Sequence, residues 1–130
     1  MAVRGIGHVN LRASAEMIER LRGFYVEVIG LREDARPTFR SGSSGYWLYA
    51  GNIAVLHLSI ARDGGAASRQ PPGVFNHLAF ECSDLESTRA RLDAADIEYE
   101  TDVVDELHQT QLFLIDPAGI GVELTFNHSD

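Results

Sequence analysis

Two stretches of this 130-residue chain repeat one another, and the repeat limits the folds open to it. The first stretch opens with HVNLRAS at His8, continues through a helical segment, and closes with YWLYAGNIAVLHL. The second opens with HLAFECS at His77, again continues through a helical segment, and closes with LFLIDPAGIGVEL. Aligned without gaps, the closing segments set His57 opposite Glu123 and Trp47 opposite Phe113. Each half therefore carries one potential metal ligand at its start and another near its end. Halves packed about a pseudo-twofold axis can bring His8, His57, His77 and Glu123 together.

The residue pattern gives each half the same order: strand, helix, then three strands. In the first half Arg4–Arg12 alternates as a strand, and Ser14 is placed to cap a helix. Met17, Leu21, Phe24 and Val28 recur on one helix face, with Ile18 and Tyr25 on adjoining rows. Gly30 is a natural stop. Leu31–Arg36 reads as a short strand, and SGSSG from Ser41 as a flexible segment. Tyr46–Ala50 and Ile53–Ile60 form a hairpin turned at Gly51-Asn52. Residues 62–74 are rich in Gly, Ala, Ser and Pro and read as the linker.

In the second half Phe75–Cys82 reads as a strand, and Ser83 with Glu86 has capping-box spacing. Leu85, Thr88, Leu92 and Ala95 make a narrower helix stripe. Ile97–Thr101, Thr110–Ile115 and Ile120–Phe126 follow as strands, with Asp116 to Gly119 as the last turn. The expected class is α+β: two βαβββ modules, residues 4–61 and 75–126, whose curved mixed sheets enclose a metal pocket in a single domain. A sheet covered by a helix on one face alone buries its other face by pairing.

Composition removes several function classes. A net charge of −8 argues against nucleic-acid binding, which needs clustered Lys and Arg. No apolar run is long enough to span a bilayer, and the first residues lack a signal-peptide core. The single cysteine, Cys82, has no intrachain partner. A cytoplasmic location is the default expectation.

At the level of motifs, GIGHVNLRA, FYVEVIGL, FNHLAFEC and LFLIDPAGIGVEL together resemble the vicinal oxygen chelate superfamily. That superfamily includes glyoxalase I, fosfomycin-resistance transferases, methylmalonyl-CoA epimerase, extradiol dioxygenases and bleomycin-resistance proteins. The resemblance runs from about Gly5 to Phe126. It implies a divalent metal (Ni, Co, Zn, Mn or Fe) on His8, His77 and Glu123, with His57 as a fourth ligand or a nearby base. Two imidazoles and a carboxylate suit such ions and leave positions open for substrate oxygens.

The implied chemistry is isomerase or lyase type on a small hydroxy-carbonyl substrate, with the metal stabilising an enediolate and Glu123 or His57 moving the proton. Trp47, Tyr49 and Phe113 are the expected substrate walls, among the aromatics Phe39, Tyr46, Trp47 and Tyr49. Alternation sends Trp47 and Tyr49 to one face and Tyr46 and Leu48 to the other, without fixing which pair joins His57. Arg4, Arg12, Arg36 and Arg40 are sources of local positive charge. His108 and His128 read as solvated.

Departures from glyoxalase I are also legible. The chain offers one carboxylate and one histidine in place of two facing carboxylates, and it lacks long loops for glutathione. A second reading is an extradiol iron dioxygenase, since His8, His77 and Glu123 compose a two-His, one-carboxylate set, although Phe113 stands where that signature carries tyrosine. A third is a drug-sequestering protein of the bleomycin-resistance type. The resemblance also implies a homodimer.

Overall fold

The computed structural model describes residues 1–62 and 74–129. It divides into two units, Met1–Pro71 and Pro72–Asp130. Most of the expected linker lies outside the described residues.

In the first unit β1 (Val9–Ala13) is followed by α1 (Ala15–Gly23), which continues with wider π winding over Phe24–Ile29. Three strands follow: β2 (Arg32–Asp34), β3 (Gly45–Ala50) and β4 (Ile53–Ile60). The sheet order is β1-β4-β3-β2, with β1 parallel to β4 and the other neighbours antiparallel. Residues 1–8 are exposed and outside the sheet, so the first strand starts later than its alternation suggested.

Ser14 caps α1 by accepting from Met17 N–H at 3.2 Å. Gly30, at φ 95°, ends the helical segment in the left-handed conformation that only glycine adopts cheaply. The helix buries Ile18, Leu21, Phe24 and Tyr25. Met17 and Val28 are only half-buried, so the buried row is centred on Ile18 and Tyr25. Beneath it lie Leu48, Leu56 and Leu58, all fully buried. Each such leucine contributes roughly 1.5–3 kcal/mol.

Ser41–Gly45, expected to be flexible, ends in a close backbone contact. A Cβ on Gly45 would stand 1.8 Å from the Leu58 carbonyl oxygen, and the residue has φ 149°. Glycine is what lets β3 lie against β4 at this point.

The second unit repeats the order with β5 (His77–Cys82), α2 (Leu85–Ala94), β6 (Glu100–Val104), β7 (Gln109–Ile115) and β8 (Gly121–Asn127). Its sheet runs β5-β8-β7-β6, again with the first pair parallel. Leu112, Leu114, Val122, Leu124 and Phe126 are buried on one side, as are Thr88 and Leu92 of α2.

Three local expectations change here. Asp84, at φ 63°, is the N-cap of α2 and accepts from Ser87 N–H at 3.2 Å, which displaces the Ser83–Glu86 box. Ala95 is exposed and outside the buried stripe. The strand read at Ile97–Thr101 lies at Glu100–Val104, because Asp96 takes a left-handed turn (φ 56°) and Ile97 N–H closes the helix end on the Leu92 carbonyl. Asp116 behaves as a turn residue, accepting from Ala118 N–H at 2.8 Å and Ile120 N–H at 3.0 Å.

Candidate functional site

Strand alternation separates the polar and aromatic residues of the first unit from its leucine core. Asn10 pairs with His57 across β1 and β4, and Trp47 pairs with His57 across β3 and β4. His8 precedes Asn10 by two residues, so it extends the same face. Here three rings stack in series. Trp47 lies 4.0 Å from His57 with planes 9° apart, and His57 lies 3.8 Å from His8 at 15°. Phe39 adds a tilted contact with Trp47 at 6.3 Å. The register thus assigns Trp47 to the histidine face, while the Tyr46 hydroxyl donates to Glu19 of α1 on the helix side.

Tyr49 shares its strand with Trp47 but is tied to the sheet edge. Its hydroxyl donates to the Ala35 carbonyl at 2.5 Å, and the Arg32 guanidinium covers its ring. Ser59, buried beside the stack, donates to Asn10 Oδ1 at 2.6 Å.

The environment favours neutral His57. Burial is the largest cause of its lowered pKa, followed by the charge of His8. A hydrogen bond to the Ala54 backbone opposes this, and Arg36 adds to it. Neutral imidazole is the form that binds metals and accepts protons.

In the second unit the equivalent register holds. Glu123 pairs with Ala79 on β5 and with Phe113 on β7. His77 precedes Ala79 by two residues, as His8 precedes Asn10. His77 and Glu123 therefore share the face that the leucine set leaves. Asn76 Oδ1 lies 2.8 Å from His77 Nδ1. Accepting from Nδ1–H, it leaves the Nε2 lone pair free, the arrangement usual for metal-binding histidines. Asn76 escaped the sequence reading; its adjacency to His77 was the available signal. Glu123 is half-buried, and its side chain has no hydrogen bond or ion pair among the described residues.

An open groove of about 1150 Å³ is lined by His77, Phe113 and Gly121, and also by Asp93, Asp96 and Glu98. Glu123 is not part of its wall. His108 and His128 lie at the far end of this sheet, both exposed. The His128 ring nevertheless meets Thr110 Oγ1 at 3.0 Å, and the His128 backbone N–H donates to the His108 carbonyl.

Each unit presents two side chains of types that bind divalent ions, His8 and His57 in the first and His77 and Glu123 in the second. Among the described residues, no three His, Cys, Asp or Glu side chains are grouped as a ready metal cage. Stacked imidazoles also carry their in-plane lone pairs side by side. For His8 and His57 to share an ion, one ring must turn, and His8 is the exposed one.

The profile of the Glyoxalase/Bleomycin resistance protein/Dioxygenase superfamily matches residues 5–124. The chain belongs to this superfamily. A glyoxalase-family protein from Bacillus anthracis shares 25% identity over 98% of both chains, with TM-score 0.76. The fosfomycin resistance protein FosX from Listeria monocytogenes, complexed with Mn(II) and dihydroxypropylphosphonic acid, has TM-score 0.70 at 14% identity. It covers 97% of this chain and 94% of its own. TnmS3, an antibiotic-binding protein from Streptomyces, has TM-score 0.65 at 22% identity over 98% of both chains. These two likenesses establish the glyoxalase-superfamily fold. No curated protein sequence matches. Among the described residues, no helix is long and apolar enough to cross a membrane.

Proposed function

We propose that this protein is a divalent-metal-dependent enzyme of the glyoxalase type, moving a proton beside the carbonyl of a small hydroxy-carbonyl compound. One observation carries the reading: the two units present their donors in the same register relation. His8 goes with His57, and His77 with Glu123, each pair on the sheet face away from the leucine core. These four side chains would hold the ion. A bound divalent ion polarises the substrate carbonyl and acidifies the neighbouring C–H.

The chain's own residues supply the rest. His57 is kept neutral by burial, so its free nitrogen serves either the ion or a substrate proton. Trp47 fixes the plane of that ring by stacking on it. Glu123, without a partner among the described residues, is the alternative proton acceptor. Phe113 pairs with Glu123 as Trp47 pairs with His57, giving both donors an aromatic neighbour.

Sequestration of a planar ligand is the second reading, favoured by Phe39 and Trp47 standing at the end of the stack. The likeness in fold to TnmS3 is consistent with it.

Elemental analysis of freshly purified, anaerobically handled protein tests these readings, with a His57→Ala variant alongside. Nickel, cobalt, zinc or manganese, weakened without His57, supports the enzyme as proposed. Iron retained without His57 turns the assignment to an extradiol dioxygenase. A protein that holds no metal and takes up none supports sequestration. Tight metal binding in His8→Ala or Glu123→Ala refutes the ligand set.

A further inference from the structure

The substrate class follows from a cation beside the ring stack, and this inference rests on the histidine face being the substrate side. Arg36 lies between β2 and β3, half-buried. Its guanidinium covers the Phe39 ring at 4.8 Å. One terminal nitrogen donates to the Ser43 carbonyl at 3.0 Å, and the other to Ser43 Oγ at 3.2 Å. Its Nε is buried with no hydrogen-bond partner among the described residues.

These contacts leave a charge without a counter-charge. The chain carries 19 Asp and Glu, yet none forms an ion pair with Arg36 among the described residues. Half-burying an unpaired cation is costly unless an anion joins it. Ser43 offers only neutral acceptors, and it takes two of the five guanidinium N–H groups. Phe39 covers one flat side, so the open donors lie along the guanidinium edge. A carboxylate can take a charge-assisted bond from the N–H groups that the terminal nitrogens keep beyond Ser43, the buried Nε being closed to it.

The neighbours set the rest of the ligand. Phe39, 39% exposed, and half-buried Trp47 offer ring faces beside the cation. Trp47 joins this subsite to His57, meeting the Phe39 ring at 6.3 Å and stacking on the His57 ring at 4.0 Å. The geometry points to a subsite in which Arg36 takes the carboxylate of a planar or aromatic acid, Phe39 and Trp47 pack its apolar body, and its reacting end meets His57. Bonds to Ser43 hold the guanidinium in place beforehand, which reduces the ordering needed on binding.

Trp47 is the single tryptophan, so at fixed metal content a change in its emission on adding ligand reports on this face. The experiment titrates the whole protein with benzoate and with its neutral isostere benzamide, once after chelator treatment and once with Mn(II). Benzoate should change Trp47 emission saturably and bind at least about tenfold tighter than benzamide, the scale of a charge-assisted hydrogen bond. Arg36→Gln should abolish the preference, and Arg36→Lys should restore part of it. Equal binding of benzoate and benzamide overturns the subsite, as does an Arg36→Gln variant that still prefers benzoate. Inorganic phosphate displacing benzoate at equal concentration overturns its carboxylate character. If Arg36→Gln does not fold by circular dichroism, the wild-type comparison of the two ligands still decides.

The two levels fail separately. Charge discrimination in a protein that takes up none of Mn(II), Ni(II), Co(II), Zn(II) and Fe(II) keeps the subsite and removes the metal enzyme. Mn(II) binding without charge discrimination does the reverse.

Discussion

Trp47 and His57 sit face to face across neighbouring strands, centroids 4.0 Å apart and planes 9° from parallel. They are register partners in the β3–β4 ladder, so the backbone brings them together and the rings have only to lie flat. The stack restricts His57 to one ring plane, and His8 closes its other side at 3.8 Å. A ligand that draws His8 away from the stack changes the surroundings of the only indole in the chain.

Metal uptake should therefore be visible in Trp47 fluorescence. Adding Mn(II), Ni(II) or Zn(II) to chelator-treated protein should shift the emission, and His57→Ala should remove the response. An unchanged spectrum at saturating, independently measured metal would show that the ion does not touch this stack.

The Gly45 contact is a test of the fold. Its Cβ position is 1.8 Å from backbone that cannot retreat without breaking the hairpin. Overpacking of this kind, added to an unfavourable φ, costs about 3 kcal/mol or more. Gly45→Ala should show a much lower urea midpoint than wild type. Gly51→Ala, where nothing stands within 4 Å, carries only the penalty of its φ of 60°. Equal loss in the two variants would contradict the close approach.

Most of the architecture was legible because it depends on patterns that repeat. The alternation of Leu56 and Leu58 with His57, and of Leu112 and Leu114 with Phe113, marked both hairpins, while the face that Trp47 shares with His57 emerged only with the strand register. What was not legible depends on local backbone choices. The left-handed Asp84 moved the α2 cap, and the turn at Asp96 delayed β6. The π winding over Phe24–Ile29 centred the buried row on Ile18 and Tyr25. His8 and His57 were named from the repeat and Trp47 from the aromatic cluster, and the structure stacks these three rings. Tyr49 was named with them, but its hydroxyl is held by Ala35. The role of Ser43 in holding Arg36 has no signature in the sequence, since only the folded loop brings them together.

On the helix side, Tyr46 reports an independent contact. Its pKa is raised, chiefly by its hydrogen bond to the Glu19 carboxylate and next by burial, with Arg22 opposing. The protonated phenol is the form that donates, so the contact stabilises the fold below the unfolded tyrosine pKa near 10. That stability is lost as pH rises through the higher folded value. Glu19→Gln removes the charged acceptor, and Tyr46 should then titrate closer to 10. NMR of ring-labelled tyrosine reads this directly, and an unchanged titration would remove Glu19 as the cause.

Cys82 sits in β5 with a thiol shielded by burial. Burial, the largest influence, raises its thiol pKa, outweighing the nearby Arg91 charge and a backbone hydrogen bond at Thr125. Its Sγ lies 3.6 Å from the Phe80 carbonyl. Thiolate is the reactive form, so a raised pKa and restricted access both slow attack on a disulfide reagent. At neutral pH the folded protein should react far more slowly than the same protein in urea, and the rate should climb with pH beyond that of a free thiol. Fast labelling of the folded state at neutral pH would place Cys82 at the surface and contradict its position in β5.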